Sequence, residues 1–377
     1  MRTVLLLKNL VGFPSMSMDR YAGSLATALG KVEEWRVKSP DVAAPALLER
    51  AAGKANASRW GRLVKYPAEV RRLSRELRPD VVHVVDHSHA NLLRASDPAR
   101  SVVTVHDVIP MLSVAGELNF RVRPEVRYTF PRKLRQIGRC ARVITVSEST
   151  KRQLLRFIDL PPERVHVTPL GVADVFNPGP DGHDREAERR QVLAEYDIDP
   201  TRKVVLHVCT RNRYKNSPAL LRALAKLPDE FLLLRVGAPL FDDERGLAAD
   251  LGVEGRVINA GRVATDDGLA AHYRSADVFA FPSTFEGFGW PPLEAMACGC
   301  PTVVSNAASL PEVIGDAGPT VEPEDADALA AAIVQLADDR TTYARRSLER
   351  AARFTWSACA TATAAVYDKV VAEVSGS

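Results

Sequence analysis

The chain has no long apolar run. Runs such as VLLL at Val4–Leu7 and FLLL at Phe231–Leu234 are strand-sized, whereas a membrane-spanning helix needs about 18 apolar residues in a row. The opening MRTVLLLKNL is too short for a secretory signal and has no small-residue cleavage site, so it reads as the first buried strand of a cytoplasmic protein. Cysteine is sparse and odd in number, with Cys140, Cys209, Cys298, Cys300 and Cys359 in no paired spacing, which argues against a disulfide framework. Cys298 and Cys300 flank a single glycine, too close for a zinc knuckle; small buried thiols are the expectation. Stacking aromatics are few and no nucleic-acid-binding motif is present, so nucleic acid is not an expected partner.

What is present is length and an uneven charge. A chain of 377 residues has room for two domains with separate cores. The net charge of +3 hides a split: residues 1–172 hold 29 Lys/Arg against 16 Asp/Glu, and residues 173–377 hold 21 against 31. Arg121–Arg142 is the densest basic stretch, with eight Arg/Lys and one acid, Glu125. Two readings stand for it, a solvated helical face or a site for an anionic acceptor or an acidic lipid surface.

Short β-branched runs alternate with helical patterns in both halves. VVHVV (Val81–Val85), SVVTV (Ser101–Val105) and RVITV (Arg142–Val146) are continuous apolar strands, as parallel sheets covered on both faces require. KVVLHV, FLLLRV, RVIN, DVFAF and PTVVS repeat the theme in the second half. The pattern predicts two doubly wound α/β domains, residues 1–176 and 177–355, divided near the Pro/Gly cluster NPGPDGHD, with a last helix over 356–377 packing back on the first domain. Ligands of such sheets bind beyond the carboxyl ends of the strands.

One stretch carries the chemistry: TFEGFGWPPLEAMACGCP, Thr284–Pro301. Pro282 ends the strand before it. Pro291 and Pro292 suit a helix start, where a missing N–H loses nothing, and Gly299 closes the helix. On this reading Glu286 is on the loop and Glu294 in the first helical turn. Gly287 and Gly289 let the backbone approach a ligand and offer N–H donors near a positive helix end. A carboxylate there can accept two hydrogen bonds from a diol.

The stretch resembles the E-x7-E signature of the family 4 glycosyltransferases, whose GT-B architecture sets two Rossmann-like domains facing across a cleft. Further segments resemble family landmarks in order: VTVHDVIP (Val103–Pro110), ITVSESTKRQL (Ile144–Leu154), TPLGVADVFNP (Thr168–Pro178), HVCTRNRYKN (His207–Asn216) and SNAASLPEVIGDAG (Ser305–Gly318). The resemblance implies transfer of a sugar from a nucleotide-diphosphate sugar, UDP- or GDP-linked, to a hydroxyl acceptor, with retention and with no metal or other cofactor. The acceptor could be a glycan, a lipid-linked saccharide or a small metabolite. The resemblance also assigns roles. Lys215 would charge-stabilise the departing diphosphate, Glu286 would contact the transferred sugar, and His106 would face it from the first domain. Glu294 would hold the ribose, the backbone of Gly287, Phe288 and Gly289 the sugar hydroxyls, and Val263 the base.

The chain departs from the family pattern in two places. The usual arginine partner of Lys215 is replaced by Thr210, leaving Arg211 or Arg213 to supply the second cation. The first-strand loop has only Gly12 where a glycine pair is usual, followed by Met16 and Met18, which either shape an acceptor pocket or staple the loop to the next helix.

Paired carboxylates also fit a glycosidase, but the basic turn at Lys215 favours a nucleotide donor. His83, His87 and His89 have no metal-ligand spacing. Asp197-Ile-Asp199 and Asp325-Ala-Asp327 have the spacing of metal-binding transferases, though Asp325 reads as a helix cap. The competing functions are a nucleotide-sugar epimerase and a catalytically silent sugar-nucleotide-binding relative.

Overall fold

The structure, a computed structural model, describes residues 1–9, 16–42, 60–118 and 124–376. The chain folds into two compact units. One gathers the described residues within Met1–Glu117, Arg121–Gly171 and Thr355–Ser377; the other is chiefly Val172–Phe354.

The first unit is built on a parallel sheet of β1 (Arg2–Leu7), β2 (Trp35–Lys38), β3 (Val81–Val84), β4 (Ser101–Val105), β5 (Arg142–Thr145) and β6 (Val165–Val167), in the order β2-β1-β3-β4-β5-β6. Every residue of β3 and β4 is buried, the state expected of Val-rich runs covered on both faces. His83 is the polar exception in β3. Its ring nitrogens lie 2.7 Å from the Tyr367 hydroxyl and 2.8 Å from Thr104 Oγ1. Tyr367 comes from the last helix, Trp356–Ser375, which Thr355 caps by accepting from the Ala358 N–H. The same ring meets Trp35 edge-on, with centroids 5.1 Å apart.

The second unit carries β7 (Lys203–Cys209), β8 (Phe231–Gly237), β9 (Val257–Gly261), β10 (Val278–Phe281), β11 (Thr302–Ser305) and β12 (Thr320–Val321), all parallel, in the order β12-β11-β10-β7-β8-β9. This is the doubly wound arrangement, in which the winding reverses between β7 and β10. Its core joins Val205, Leu233, Val278 and Val303 of the sheet to Leu220 and Leu224 on one helix and Leu329 and Ile333 on another. Gly237 closes β8 at φ +110°, and a Cβ there would run into the Cys209 carbonyl oxygen. All five cysteines are buried and free.

Two buried imidazoles make the fold acid-sensitive. Burial above all pushes His83 and His207 down to about 3, with His106 adding to the effect at His83 and Arg235 at His207. Both rings are neutral in the folded chain at neutral pH, whereas in the unfolded chain they titrate near 6.5. Between those values the unfolded state binds more protons, so stability is complete above pH 6.5 and falls as pH drops toward 3. At pH 5 each histidine should have removed about 2 kcal/mol. Denaturant melts at pH 7 and pH 5 check this; an unchanged midpoint would mean that neither ring is held neutral.

Candidate active site

The reversal between β7 and β10 leaves their two carboxyl-end loops side by side, and the reactive side chains of the second unit sit on those loops. After β7 the chain turns through Thr210–Asn216 into a helix, Ser217–Leu224. Asn216 makes the turn in the left-handed conformation, φ +58°, and its Nδ2 donates to the carbonyls of Pro282 (3.1 Å) and Pro323 (2.6 Å). The Thr284 N–H donates to the Tyr214 carbonyl at 2.7 Å. The bonds to Pro282 and from Thr284 stitch the β7 loop to the β10 loop, and the bond to Pro323 ties it to the segment after β12.

Across that seam Lys215 Nζ donates to Glu286 Oε1 at 2.7 Å, with the two side chains 9% and 12% exposed. The ammonium also lies 4.7 Å from the Phe281 ring centroid and 5.2 Å from that of Tyr214, which keeps water from one side of it. A pair this buried is held by its partnership, because removing either member leaves a charge stranded.

The rest of the β10 loop is fixed from behind. Ser309 Oγ lies 2.6 Å from the Phe288 carbonyl oxygen and 3.1 Å from that of Glu286. Phe288 is buried and meets Phe354 edge-on at 5.9 Å. Gly289 adopts φ +117° at the helix cap, a conformation that needs glycine. The helix runs Trp290–Ala297, so it begins ahead of Pro291 and Pro292. The prolines occupy its second and third positions, where the N–H groups would lack intrahelical partners anyway. The expectation for Glu294 is corrected accordingly: it lies in the second turn, not the first. It is 4% exposed and accepts from the Tyr273 hydroxyl at 3.1 Å. Burial first, then the Glu294 carboxylate, raise the Tyr273 hydroxyl well above its usual range, so Tyr273 stays protonated and donates. Gly299, at φ +69°, closes the helix as read from the sequence.

The structure places the remaining predicted residues elsewhere. Arg211 and Arg213 lie over the Phe241 ring at 4.7 and 4.2 Å, and Arg213 is ion-paired to Asp243 at 2.5 Å. Neither joins the Lys215–Glu286 pair. Val263 lines a groove of about 560 Å³ with Tyr196, Arg262 and His272. His106 belongs to the first unit, at the end of β4. Its Nε2 donates to the Val85 carbonyl at 2.8 Å, its ring meets Tyr21 edge-on at 4.6 Å, and burial lowers its pKa. Gly12 lies outside the described residues; Met16 and Met18 fall on the helix Met16–Leu29.

The basic stretch also lies partly outside the described residues. Its helix, Pro124–Ile137, stacks Arg132 on the exposed Tyr128 ring at 3.7 Å. Of the two D-x-D sequences, Asp325 caps a helix by accepting from the Ala328 N–H, while Asp199 holds a turn ahead of β7 by accepting from the Thr201 N–H and hydroxyl. Among the described residues no group of three or more His, Cys, Asp or Glu is placed to hold a metal, and no helix is long and apolar enough to cross a membrane. Asn216 and Ser309 shape the site from within the segments His207–Asn216 and Ser305–Gly318, without having been singled out there, and Tyr273 lies in no motif of the sequence.

Two family models match the chain: "Glycosyltransferase Family 4" over residues 38–176 and "Glycosyl transferases group 1" over residues 188–354. The Escherichia coli O-antigen chain mannosyltransferase B is 34% identical over 280 residues, 71% of this chain and 70% of that protein. The serotype-specific mannosyltransferase WbdA of Escherichia coli is 30% identical over 296 residues, 74% of this chain but only 35% of that longer protein. Among solved structures, sucrose-phosphate synthase from Thermosynechococcus elongatus superposes with a TM-score of 0.74 at 21% identity, covering 99% of this chain and all of that one. The two parallel doubly wound sheets are those of the GT-B fold, and the chain belongs to the family 4 glycosyltransferases.

Proposed function

We propose that this chain moves a hexosyl group, with mannose the first to test, from a nucleotide-diphosphate sugar to a hydroxyl of a glycan acceptor, with retention at the anomeric carbon and without a metal. The observation that supports this reading best is the buried Lys215–Glu286 pair at the carboxyl ends of β7 and β10. Mannose is favoured because the relatives above are named mannosyltransferases.

In this mechanism the bond between the anomeric carbon and the diphosphate oxygen breaks with its electrons going to the phosphate. Lys215 meets that developing charge, aided by the N-terminus of Ser217–Leu224. Glu286, released from Lys215, accepts from a hydroxyl of the sugar, and the peptide N–H groups of Gly287, Phe288 and Gly289 are the donors that surround it. Glu294, oriented by Tyr273, accepts from the ribose diol. Val263 contributes its backbone to the base. The acceptor hydroxyl adds from the face the diphosphate leaves, and its proton passes to the departing phosphate oxygen, which has gained the electron pair. An anionic or lipid-linked acceptor, presented in the cytoplasm, is the kind that the basic helix Pro124–Ile137 would attract.

A thermal-shift panel of UDP, GDP, ADP and dTDP with their common sugars tests the donor site, since a ligand at 100 times its Kd adds about 2.7 kcal/mol. Glu294→Ala should weaken nucleotide binding roughly tenfold, the loss of hydrogen bonds to a charged acceptor. Wild-type affinity in that variant would end the ribose assignment. Conversion of the donor with no acceptor present would point to an epimerase, and donor binding with no release of free nucleotide to a silent relative.

A further inference from the structure

The donor site as described has one committed cation, Lys215, while Arg211 and Arg213 are turned to Phe241 and Asp243. A third arginine lies behind the same turn. Arg235 stands on β8 directly across from His207 on β7 and is 3% exposed. Its Nη2 donates to Cys209 Sγ (3.4 Å), the last residue of β7, and to Ser217 Oγ (3.2 Å), the first residue of the helix after the turn. Its Nη1 donates to the Ala238 carbonyl (3.2 Å) and to Asn259 Oδ1 (3.0 Å). Every acceptor is neutral, and among the described residues no carboxylate pairs with it. A guanidinium buried without a counter-ion is costly, and here it is placed where the turn begins and where it ends.

We infer that Arg235 is a positioning residue of the donor site, which clamps the β7 end to the start of the following helix and lends its unneutralised charge to the diphosphate from behind the turn. This rests on the donor-site reading above. Arg235 and Lys215 bracket one short stack: His207 pairs with Arg235 in the sheet, the His207 and Phe281 rings are 5.8 Å apart, and Lys215 lies over Phe281. Both cations act on the same neighbours, lowering His207 after burial has done so and opposing the burial that raises the Cys209 thiol. Lys215 is bonded to the Glu286 carboxylate and the buried Glu244 works against both cations at the Cys209 thiol, so of the two cations Arg235 is the one with no carboxylate bonded to it among the described residues, and it acts on a ligand only through its field.

The test is calorimetric titration of the full chain with a charge series, UDP, UMP and uridine, and GDP, GMP and guanosine. With Arg235→Gln the diphosphate should lose about tenfold in affinity, the monophosphate less and the nucleoside nothing, because the field acts in proportion to ligand charge. Arg235→Lys should restore most of the loss. Equal losses for all three ligands would reduce Arg235 to a structural clamp and overturn the inference. Should Arg235→Gln not fold, Asn259→Asp decides: it sets a carboxylate against Nη1 on a solvent-exposed strand position and should produce the same charge-graded loss. Unchanged diphosphate binding in Asn259→Asp overturns the proposal. A wild-type chain that binds neither diphosphate overturns the donor-site reading as well, so the two failures are distinguishable.

Discussion

Lys215→Ala should turn over at least about a hundredfold more slowly than the wild type, equivalent to about 2.7 kcal/mol of lost transition-state stabilisation. The charge on the diphosphate grows as the glycosidic bond breaks, so the loss should fall mainly on kcat, with KM moving less. The ammonium is buried and bonded to Glu286 at 2.7 Å, so the alanine variant also strands a carboxylate. A melting curve must accompany the kinetics, because a destabilised fold would lower apparent activity for a different reason. Near-normal turnover in a folded variant would move the charge to Arg211 or Arg213, which the structure holds over Phe241.

Glu286→Gln should have effects of opposite sign on binding and on turnover. In the empty site the Glu286 carboxylate occupies the ammonium that a diphosphate needs. Binding must first separate a nearly buried ion pair, and apparent affinity falls by the fraction of molecules in which the pair is open. Glutamine keeps a carbonyl oxygen for Lys215 to donate to but removes the competing charge. The free nucleoside diphosphate should therefore bind about tenfold tighter to Glu286→Gln, or about 1.4 kcal/mol. The nucleotide-sugar should gain less, because a sugar hydroxyl loses its carboxylate, and turnover should collapse. Calorimetry with both ligands reads the split. Weaker binding of the free diphosphate would mean that Glu286 does not compete for Lys215.

Much of this was legible from the residues. Runs such as VLLL in β1 and FLLL in β8 are continuous and apolar, and only a sheet covered on both faces has use for them. The loop chemistry around Glu286 was legible because Pro282, Gly289 and Gly299 each force a local backbone state. What the sequence did not disclose is long-range. Nothing near Lys215 says that its partner is Glu286, 71 positions away, and nothing near Glu294 points to Tyr273. Arg235 reads as one polar interruption in a strand; only the sheet order sets it beneath the turn. The start of the Glu294 helix was misread because two prolines make a persuasive first turn, whereas the left-handed Gly289 starts the helix one residue before them.

The last helix has a consequence for how the chain is made. The polypeptide passes into the second unit at Val172 and returns only at Thr355, so the first unit is encoded in two separated pieces. On the ribosome its sheet emerges early, yet Tyr367, which caps His83 and packs on Trp35, is synthesised near the end. Vectorial synthesis ordinarily lets the N-terminal domain fold first. Here the uninterrupted second unit can finish while the first still lacks a layer. A nascent chain that stalls before Thr355 would expose one face of a parallel sheet, a surface that chaperones shield and proteases find.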